Sequence, residues 1–570
     1  MYTASAAFVE ALVDAGVSYI FGNFGSDHPG LLEYLAKAKA LGLPAPPVLT
    51  CPNEMVGLSA AHGYAQVTGR AQAVVVHVEC GTQALAGAVH NAAKGRIPVL
   101  IYAGASPYTQ EGELLGSRNE FIQWIQDVAD QRGLVRGYMK YDNEIRTGRN
   151  VKQLVRRAMQ FAHSDPPGPV YLMGGREAME EEIPPVQLPS PRSETVSPGA
   201  LSAEGLDILV ADLLAARRPL VVTSYVGRRP AAVAELERLC QRLGMGVLES
   251  VPNYMNFPHD HPLYLGNQWN LAQQNQALAQ ADLVLVLDSD VPWIPQVNRP
   301  DPTAVIHHID VDPLKTAMPL WYIEAKGVFR ADAATALAQI NARLDQMTID
   351  QAALVERRAH YGDLHAQRAA RLEVEARPSP DGITPHYLAA RLALQLGSDG
   401  LVLNEGITNY NVLFDHLART QPGSIFTSGG GSLGWNGGAA IGMKLAAPDK
   451  DVVAISGDGS YLFSVPASVH WMARRYRTPF VQIVLNNGGW RAPRHSALGV
   501  HPDGYASATE DLDISFDPAP DYAGVAAAAG GAHARIVKTV EELDEAIAEA
   551  LRVTREEGRC AVLDVWLARS

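Results

Sequence analysis

The sequence predicts an α/β protein with three doubly wound parallel-sheet domains, and three observations lead to this fold class. Short apolar runs such as AVVVHV at 73–78 alternate with helix-length segments along the chain, which is the pattern of βαβ units. These runs are apolar at almost every position, as strands buried on both faces of a parallel sheet are. The chain has 570 residues, more than a single core holds, since cores stop growing near about 250–300 residues.

Two polar, proline-bearing segments separate the blocks. The first is IPPVQLPSPRSETVSPG at 183–199, and the second is a charged stretch that ends in ARPSPDG at 376–382. We therefore predict an N-terminal domain at 1–182, a central domain at 200–345, a linker helix at 346–382 and a C-terminal domain at 383–570. The first and third blocks are candidates for sharing one fold with each other.

The composition excludes several classes of partner. Lys and Arg total 47 against 61 Asp and Glu, a formal charge of −14, which argues against nucleic acid or an anionic membrane, since both favour basic surfaces. The four cysteines form no CxxC pair, so we expect no disulfide framework or zinc site, and a cytoplasmic location. No apolar run approaches the roughly 20 residues of a membrane helix.

The sharpest local signal is a pair of motifs at two strand ends. Gly457-Asp458-Gly459-Ser460 follows the strand DVVAIS, and Asn486-Asn487 follows the strand FVQIVL. The carboxyl ends of neighbouring parallel strands meet at the ligand-binding edge of a sheet. Oxygens of Asp458 and Asn487 suit Mg²⁺, and the glycines let backbone N–H groups approach a diphosphate. Each motif alone is more often a turn, but together they favour a metal–diphosphate site.

This pair, with 29 residues from Asp458 to Asn487, resembles the motif of thiamine diphosphate enzymes. The whole chain is similar to the acetolactate synthase and benzoylformate decarboxylase group of that family. The resemblance implies a pyrimidine-binding (PYR) domain, a central domain and a diphosphate-binding (PP) domain. It also implies thiamine diphosphate and Mg²⁺ as cofactors, with the metal held by Asp458, Asn487 and the main-chain carbonyl of Gly489.

The resemblance further assigns groups around the cofactor. Glu54 in TCPNEMVG would bind the pyrimidine ring nitrogen and activate the cofactor, since burial raises the pKa of a carboxyl group so that it can share a proton. The alternative is a glutamate that stabilises a first helical turn. In FTSGGGSLGWNGG, Leu433 would bend the cofactor and Gly431 would offer its carbonyl to the amine. The alternative is a flexible turn with Leu433 in the core.

Three candidates face the substrate in the first block. The stretch GNFGSDHP at 22–29 resembles benzoylformate decarboxylase, with Ser26 as a carboxylate donor and His28 as a proton carrier. The alternative is a helix N-cap at Ser26 or Asp27. His77 aligns with the active-site histidine of that enzyme and would act as a proton donor. The alternative is a hydrogen-bonded core histidine.

The remaining substrate-side candidates are Gln83, Trp490 and Arg494. Gln83 falls where relatives carry a polar residue that faces the substrate. The run GGWRAPRHSALGVHPDGY at 488–505 predicts a loop over the active site, in which Trp490 lines the substrate channel and Arg494 binds a carboxylate or a coenzyme A phosphate. The alternative is an ordinary surface loop.

The resemblance implies non-oxidative decarboxylation of a 2-oxo acid, carboligation with a second carbonyl compound, or both. Alternatives are a 2-hydroxyacyl-CoA lyase, an FAD-carrying synthase or oxidase, and a catalytically lapsed cofactor-binding paralogue. The stretch DSDVPWIPQ at 288–296 lacks both the second histidine of benzoylformate decarboxylase and the flavin pattern of acetolactate synthases, so FAD is doubtful. Because Glu54 and Asp458 meet across two chains in this family, we expect a homodimer at minimum and a homotetramer as the assembly.

Overall fold

The computed structural model describes residues 1–189, 195–270, 273–509 and 512–568. In these ranges the strands form three six-stranded sheets, and the strands in every sheet pair in parallel. The predicted fold class, α/β with three parallel-sheet domains, is therefore confirmed. The strand-end motifs accordingly lie at the carboxyl ends of the strands, where parallel sheets bind ligands.

The first sheet has the strand order β2-β1-β3-β4-β6-β5. Its strands are β1 Ile20–Gly22, β2 Val48–Thr50, β3 Ala73–Val76, β4 Val99–Ala105, β5 Tyr141–Ile145 and β6 Pro169–Gly175. The helices of this block are α1 Ala4–Asp14, α2 Pro29–Leu41, α3 Glu54–Thr68, α4 Val78–Ala84, α5 Ala86–Lys94, α6 Ile122–Ile125, α7 Val151–His163 and α8 Arg176–Glu180.

The second sheet has the order β12-β11-β10-β7-β8-β9. Its strands are β7 Pro219–Thr223, β8 Gly246–Ser250, β9 Tyr264–Gln268, β10 Leu283–Leu287, β11 Val305–Asp310 and β12 Gly327–Arg330. Its helices are α9 Ala203–Ala215, α10 Pro230–Leu243, α11 Gln276–Gln280 and α12 Ala333–Leu344, and the long helix α13 Gln351–Glu375 follows. Counted within the sheet, this order is 3-2-1-4-5-6 read from its other edge, the order of doubly wound dinucleotide-binding folds.

The third sheet has the order β14-β13-β15-β16-β18-β17. Its strands are β13 Leu401–Glu405, β14 Ile425–Phe426, β15 Val452–Gly457, β16 Val481–Asn486, β17 His533–Val537 and β18 Ala561–Trp566. Its helices are α14 Pro385–Leu396, α15 Tyr410–Leu417, α16 Trp435–Ala446, α17 Asp458–Phe463, α18 Pro466–Tyr476, α19 Arg491–Val500, α20 Tyr505–Ala508, α21 Tyr522–Gly530 and α22 Val540–Arg552. Counted within each sheet, the first and third share one strand order, so these two blocks have the same topology.

Helices α3 and α16 join the first and third blocks by direct backbone contact. A Cβ added at Gly63 would overlap the carbonyl of Ala439, and one added at Gly442 would overlap the carbonyl of Ala60. Glycine is therefore required at both positions, because any side chain would push the helices apart. Since α3 begins at Glu54 and α16 follows the glycine-rich loop, this packing sets the orientation of two predicted cofactor-binding segments.

The predicted domain boundaries stay a prediction. The first predicted linker, 183–199, includes residues 190–194, which lie outside the described residues. Helix α13 lies inside the predicted linker helix at 346–382 and leads from the central block to the third. Over the described parts of the chain, no helix is both long and apolar enough to cross a membrane.

Candidate active site

Asp458 connects the two strand-end motifs of the third sheet. Strand β15 ends at Gly457 and α17 begins at Asp458. One carboxylate oxygen of Asp458 accepts from the N–H groups of Gly488 and Gly489, at 2.9 Å each, and the other accepts from Gly459 at 2.7 Å. Burial raises the pKa of Asp458, and these N–H groups oppose that rise. The Gly-Asp-Gly-Ser and Asn-Asn segments are thus held in one site.

Two buried polar atoms in these segments have no partner among the described residues. They are Oδ1 of Asn487 and the hydroxyl oxygen of Ser460. An unpaired buried acceptor costs about 1–3 kcal/mol, and a ligand bound between the two segments would offset this cost. Gly489 has φ 143°, and a Cβ there would overlap the carbonyl of Ile514. The donor set of Asp458, Asn487 and a glycine carbonyl, all oxygen, fits Mg²⁺.

Trp490 covers the glycine-rich turn. A Cβ added at Gly459 would overlap its indole nitrogen. Its ring lies 6.4 Å from the ring of Phe463 and 5.1 Å from that of Phe516, measured between centroids. Trp490 is 38% exposed, so it is not fully enclosed by these contacts.

The segment that carries Arg494 is helical, and the prediction of a loop there is wrong. Helix α19 begins at Arg491, directly after Trp490. Pro493 lies in the first turn, where a proline is tolerated because the missing N–H has no partner in the helix. Arg494 donates to the carbonyl of Thr509 at 3.1 Å. Its proposed contact with a substrate anion stays a prediction.

The loop with Gly431 and Leu433 is held from both sides. Glu405, buried at the end of β13, accepts from the N–H groups of Gly434 at 2.6 Å and of Asn436 at 2.9 Å. Burial raises the pKa of Glu405 to about 7, against the lowering effect of these N–H donors. Gly434 has φ 92°, so the chain turns sharply after Leu433. The carboxyl group thereby fixes the start of α16.

The other side of this loop contacts α5 of the first block. The N–H of Gly431 donates to Nε2 of His90 at 3.1 Å. Asn91 accepts from the N–H of Ser432 at 3.1 Å and donates to its carbonyl at 2.8 Å. The loop therefore has a defined conformation, and Leu433 is only partly buried. The alternative of a flexible turn with Leu433 in the core does not fit these contacts.

Glu54 is the first residue of α3. The side chain of Asn53 caps this helix by accepting from the N–H of Val56 at 3.2 Å. The carboxylate of Glu54 is partly buried, and a Cβ added at Gly81 would lie 3.4 Å from its Oε1. The position of Glu54 is thus compatible with both interpretations, a carboxyl group that binds the cofactor and a glutamate that stabilises the first turn of its helix.

His77 forms the centre of a polar cluster at the carboxyl edge of the first sheet. It follows β3 directly, and its Nδ1 lies 2.5 Å from Oδ1 of Asp27. Its Nε2 lies 3.0 Å from Oε1 of Gln126. The hydrogen bond to Asp27 raises the pKa of His77, although burial opposes the rise. The side chain is 21% exposed, so it is not a fully enclosed core histidine.

Asp27 is the buried anchor of this cluster. Its second oxygen accepts from the N–H of Val78 at 3.0 Å. Burial alone would raise the pKa of Asp27, but His28 and His77 hold it below its usual range. A Cβ added at Gly104 would overlap this carboxylate, and one at Gly25 would overlap the ring of His77. Two glycines therefore make room for the Asp27–His77 pair.

The alternative interpretation, a helix N-cap at Ser26 or Asp27, does not hold. Helix α2 begins at Pro29, so His28 occupies the N-cap position and makes no capping hydrogen bond with its side chain. Asp27 is unavailable for capping because it binds His77. The ring of His28 is buried behind Asp27, where its Nδ1 accepts from the N–H of Gly25 at 3.1 Å. The roles of Ser26 and His28 toward substrate stay predictions.

Gln83 lies one turn after the cluster, on α4. Its amide donates to the carboxylate of Glu79, which also accepts from the thiol of Cys80 at 2.9 Å. Cys80 lies 3.5 Å from the amide nitrogen of Gln126. The exposed side chain of Gln83 is thus linked through neighbouring polar groups to the histidine site.

Comparison with known proteins identifies the family of this chain. Three family models match the chain, together over more than half of its length. They are described as the N-terminal TPP binding domain of thiamine pyrophosphate enzymes at 2–134, the central domain at 206–320 and the C-terminal TPP binding domain at 406–565. The chain belongs to the thiamine pyrophosphate enzyme family.

Relatives of this thiamine pyrophosphate enzyme span almost the whole chain. A sulfoacetaldehyde acetyltransferase of Castellaniella defragrans is 26% identical over 100% of this chain and 93% of its own. A benzoylformate decarboxylase of Pseudomonas aeruginosa is 26% identical over 97% of this chain and 98% of its own. In fold, the chain is similar to a solved 4-hydroxybenzoylformate decarboxylase of Rhodococcus jostii, with a TM-score of 0.78, 22% identity and coverage of 100% and 99%.

Three groups in the site of this thiamine pyrophosphate enzyme were not predicted as functional. Asp27 follows the predicted Ser26, but the sequence signals only a cap there. Gln126 lies 49 positions from His77, and no local motif marks it. Glu405 is the last residue of β13, and the carboxyl ends of parallel strands are where such sheets bind ligands. This position is the feature of the sequence that could have marked Glu405 as functional.

Proposed function

We propose that this enzyme uses thiamine diphosphate and Mg²⁺ to break or form a C–C bond in a 2-oxo acid. The reaction is non-oxidative decarboxylation, carboligation, or both. When bound, thiamine diphosphate supplies an electron sink for the carbon next to the carbonyl group. Asp458, Asn487 and the carbonyl of Gly489 would hold the metal, and Gly457–Ser460 would contact the diphosphate.

The observation that carries the proposal is the Asp27–His77 pair. A 2-oxo acid brings a carboxylate, and loss of CO₂ leaves a carbon that must accept a proton. An imidazolium with a raised pKa attracts the carboxylate and then donates the proton. The buried carboxylate of Asp27 raises the pKa of His77 and so favours its protonated form, and Gln126 lies 3.0 Å from the second ring nitrogen.

Two further residues would act on the cofactor. The carboxyl group of Glu54 would bind the pyrimidine ring and exchange a proton with it. The Leu433 side chain would pack against the bound cofactor and set its shape. Glu405 would support that contact, because it fixes the backbone that follows Leu433.

A substrate panel tests this function. The purified protein, saturated with thiamine diphosphate and Mg²⁺, is incubated with short aliphatic, branched and aromatic 2-oxo acids, each with and without an acceptor aldehyde, and separately with a 2-hydroxyacyl-CoA thioester. We expect CO₂ and an aldehyde or a 2-hydroxyketone from at least one acid. Cleavage of a 2-hydroxyacyl-CoA thioester without turnover of any 2-oxo acid would favour the lyase instead. A yellow holoenzyme with bound FAD would favour the flavin-carrying alternative. The absence of any turnover would favour the catalytically lapsed paralogue.

Replacing Asp27 by Asn tests the proton donor. The substitution removes the negative charge that raises the pKa of His77, and an opposite charge at this range contributes about 1–3 pH units. The imidazolium is present below its pKa and is lost as the pH rises through it. The alkaline limb of the kcat profile therefore moves to lower pH by about 1–3 units, and kcat at pH 8 falls by about 10²-fold.

The matched control for this experiment is Asp363→Asn, on the exposed face of α13. It removes an aspartate charge far from β3 and leaves the pH profile unchanged. If Asp27→Asn lowers kcat equally at every pH, Asp27 has a structural role and His77 does not act as the titrating proton donor.

We also propose that two chains share each active site. Large apolar side chains are exposed in the segment after β4, among them Leu115 at 72%, Phe121 at 76% and Ile125 at 71%. Clusters of this kind mark protein–protein contacts. A twofold dimer would cover them, and a pair of such dimers would form the homotetramer.

Complementation between two inactive variants tests the shared site. Chains with Glu54→Gln and chains with Asp458→Asn are co-expressed with different tags. If each site takes Glu54 from one chain and Asp458 from the other, a mixed dimer has one intact site. Random pairing makes half of the dimers mixed, so about a quarter of wild-type activity returns. Activity no greater than that of the separate variants would place both residues of a site in one chain.

A further inference from the structure

Two histidines and a glutamate meet outside the candidate active site, where three helices converge. Glu375 is the last residue of α13, His386 lies in the first turn of α14 and His416 in the last turn of α15. One ligand atom from each residue lies within 4.8 Å of those of the other two. Nε2 of His416 is 3.3 Å from Oε2 of Glu375, and the two imidazole rings meet edge to face with centroids 5.2 Å apart.

The neighbouring charges leave these ligand atoms available. Oε1 of Glu375 accepts from Arg371 at 3.1 Å, so its Oε2 faces the histidines. Asp415 is paired with Arg368 at 2.6 Å and is not part of the trio. The side chain of His416 is 3% exposed and that of Glu375 is 30% exposed. The trio therefore has a buried side and a side that is open to solvent.

The distances are close to those of a tetrahedral metal site. An ion bound at about 2.0–2.1 Å keeps its ligand atoms about 3.3 Å apart. The contact between His416 and Glu375, at 3.3 Å, already meets this requirement. The other distances among the three ligand atoms exceed this spacing by at most about 1.5 Å, since all three atoms lie within 4.8 Å of one another.

We propose that Glu375, His386 and His416 bind a divalent transition metal ion of the zinc class, with water in the open position. Imidazole nitrogen suits such ions, whereas Mg²⁺ and Ca²⁺ take oxygen ligands. Arg371 holds the second oxygen of Glu375 and so orients the carboxylate, as outer-shell partners of metal ligands do. The cysteine pattern, on which the expectation of no zinc site rested, gives no signal of this site because its ligands are two histidines and a glutamate.

The ion would add a link between α13 and the third block, where Arg368 and Arg371 already form charge pairs with Asp415. Helix α13 leads from the central sheet to the third block, and α14 and α15 belong to that block. An ion that binds only the folded protein stabilises it, so the site would fasten the end of α13 to the third block. This inference is independent of the proposed reaction at the thiamine diphosphate site.

Metal titration tests the site in the holoenzyme. The protein is stripped with a chelator, saturated with thiamine diphosphate and Mg²⁺, and then titrated with Co²⁺ or Zn²⁺. We expect one equivalent of Co²⁺ with the visible absorption bands of a four- or five-coordinate ion, displaced by Zn²⁺. Glu375→Gln and His386→Gln lower the affinity of this equivalent by more than about 100-fold, since even outer-shell changes cost about 10–100-fold.

The matched control is Glu373→Gln, an exposed glutamate two positions before Glu375 on the same helix. It leaves the bound equivalent and the Co²⁺ spectrum unchanged. Circular dichroism and thiamine diphosphate binding establish that the variants fold. If folded Glu375→Gln and His386→Gln bind Co²⁺ as the wild type does, or if the wild type binds no equivalent beyond Mg²⁺, the proposal is overturned.

Discussion

We expect Glu54→Gln to lower kcat by about 10²–10⁴-fold, the range that general acid–base groups contribute. Glutamine keeps the size of the side chain and can still accept a hydrogen bond, but it cannot take up or release a proton. The helix start is unaffected, because Asn53 caps α3 with its own side chain. The affinity for thiamine diphosphate therefore changes little while turnover falls.

Steady-state rates at saturating cofactor, together with fluorescence titration of thiamine diphosphate, separate these two effects. The matched control is Glu33→Gln, which removes an exposed glutamate from α2 and leaves both quantities unchanged. A wild-type kcat in Glu54→Gln would mean that Glu54 only stabilises the first turn of its helix.

Asp458→Asn has the second large effect, on metal and cofactor binding. Removing one charged ligand lowers the affinity for Mg²⁺ by more than the roughly 10–100-fold that the loss of an outer-shell partner costs. The carboxylate accepts from Gly459 with one oxygen and from Gly488 and Gly489 with the other. The amide introduced there turns one acceptor into a donor that faces N–H groups, which costs about 1–3 kcal/mol of folding free energy.

Activity as a function of Mg²⁺ concentration measures the first effect of this substitution. We expect half-maximal activity at a higher Mg²⁺ concentration than in the wild type, and partial recovery of activity at high Mg²⁺ concentration. Thermal unfolding of the cofactor-free protein measures the second effect. Asp449→Asn, at an exposed turn before β15, is the control. An unchanged Mg²⁺ dependence in Asp458→Asn would remove Asp458 from the metal site.

Three strands at the ends of the sheets lack a continuous apolar run. The strands β5, β12 and β17 each end a sheet. Their residues alternate between half-buried and exposed, or are half-buried almost throughout. A central strand of a parallel sheet is covered on both faces and reads as a continuous apolar run, as β10 does. An edge strand has fewer neighbours, so polar residues are tolerated there and the pattern fades.

The candidate active site also contains some residues that short sequence motifs indicate and others that only the fold brings together. The Gly-Asp-Gly-Ser and Asn-Asn motifs are local, because a strand end and a close backbone turn need particular residue types. The Asp27–His77 pair is not local, since its residues are 50 positions apart. They meet only because β1 and β3 are neighbours in the sheet. Gly25 in the loop after β1 and Gly104 near the end of β4 leave the space for them.

The sequence by itself therefore determined the three-block α/β architecture and the family, through apolar periodicity and two strand-end motifs. Only the tertiary structure decided which polar groups meet. It placed Asp27 against His77, Glu405 under the loop of Leu433, and Glu375 beside His386 and His416. The physical reason is that hydrogen bonds and ion pairs depend on distances of about 3 Å, which the order of strands and the packing of helices set and which spacing along the chain does not.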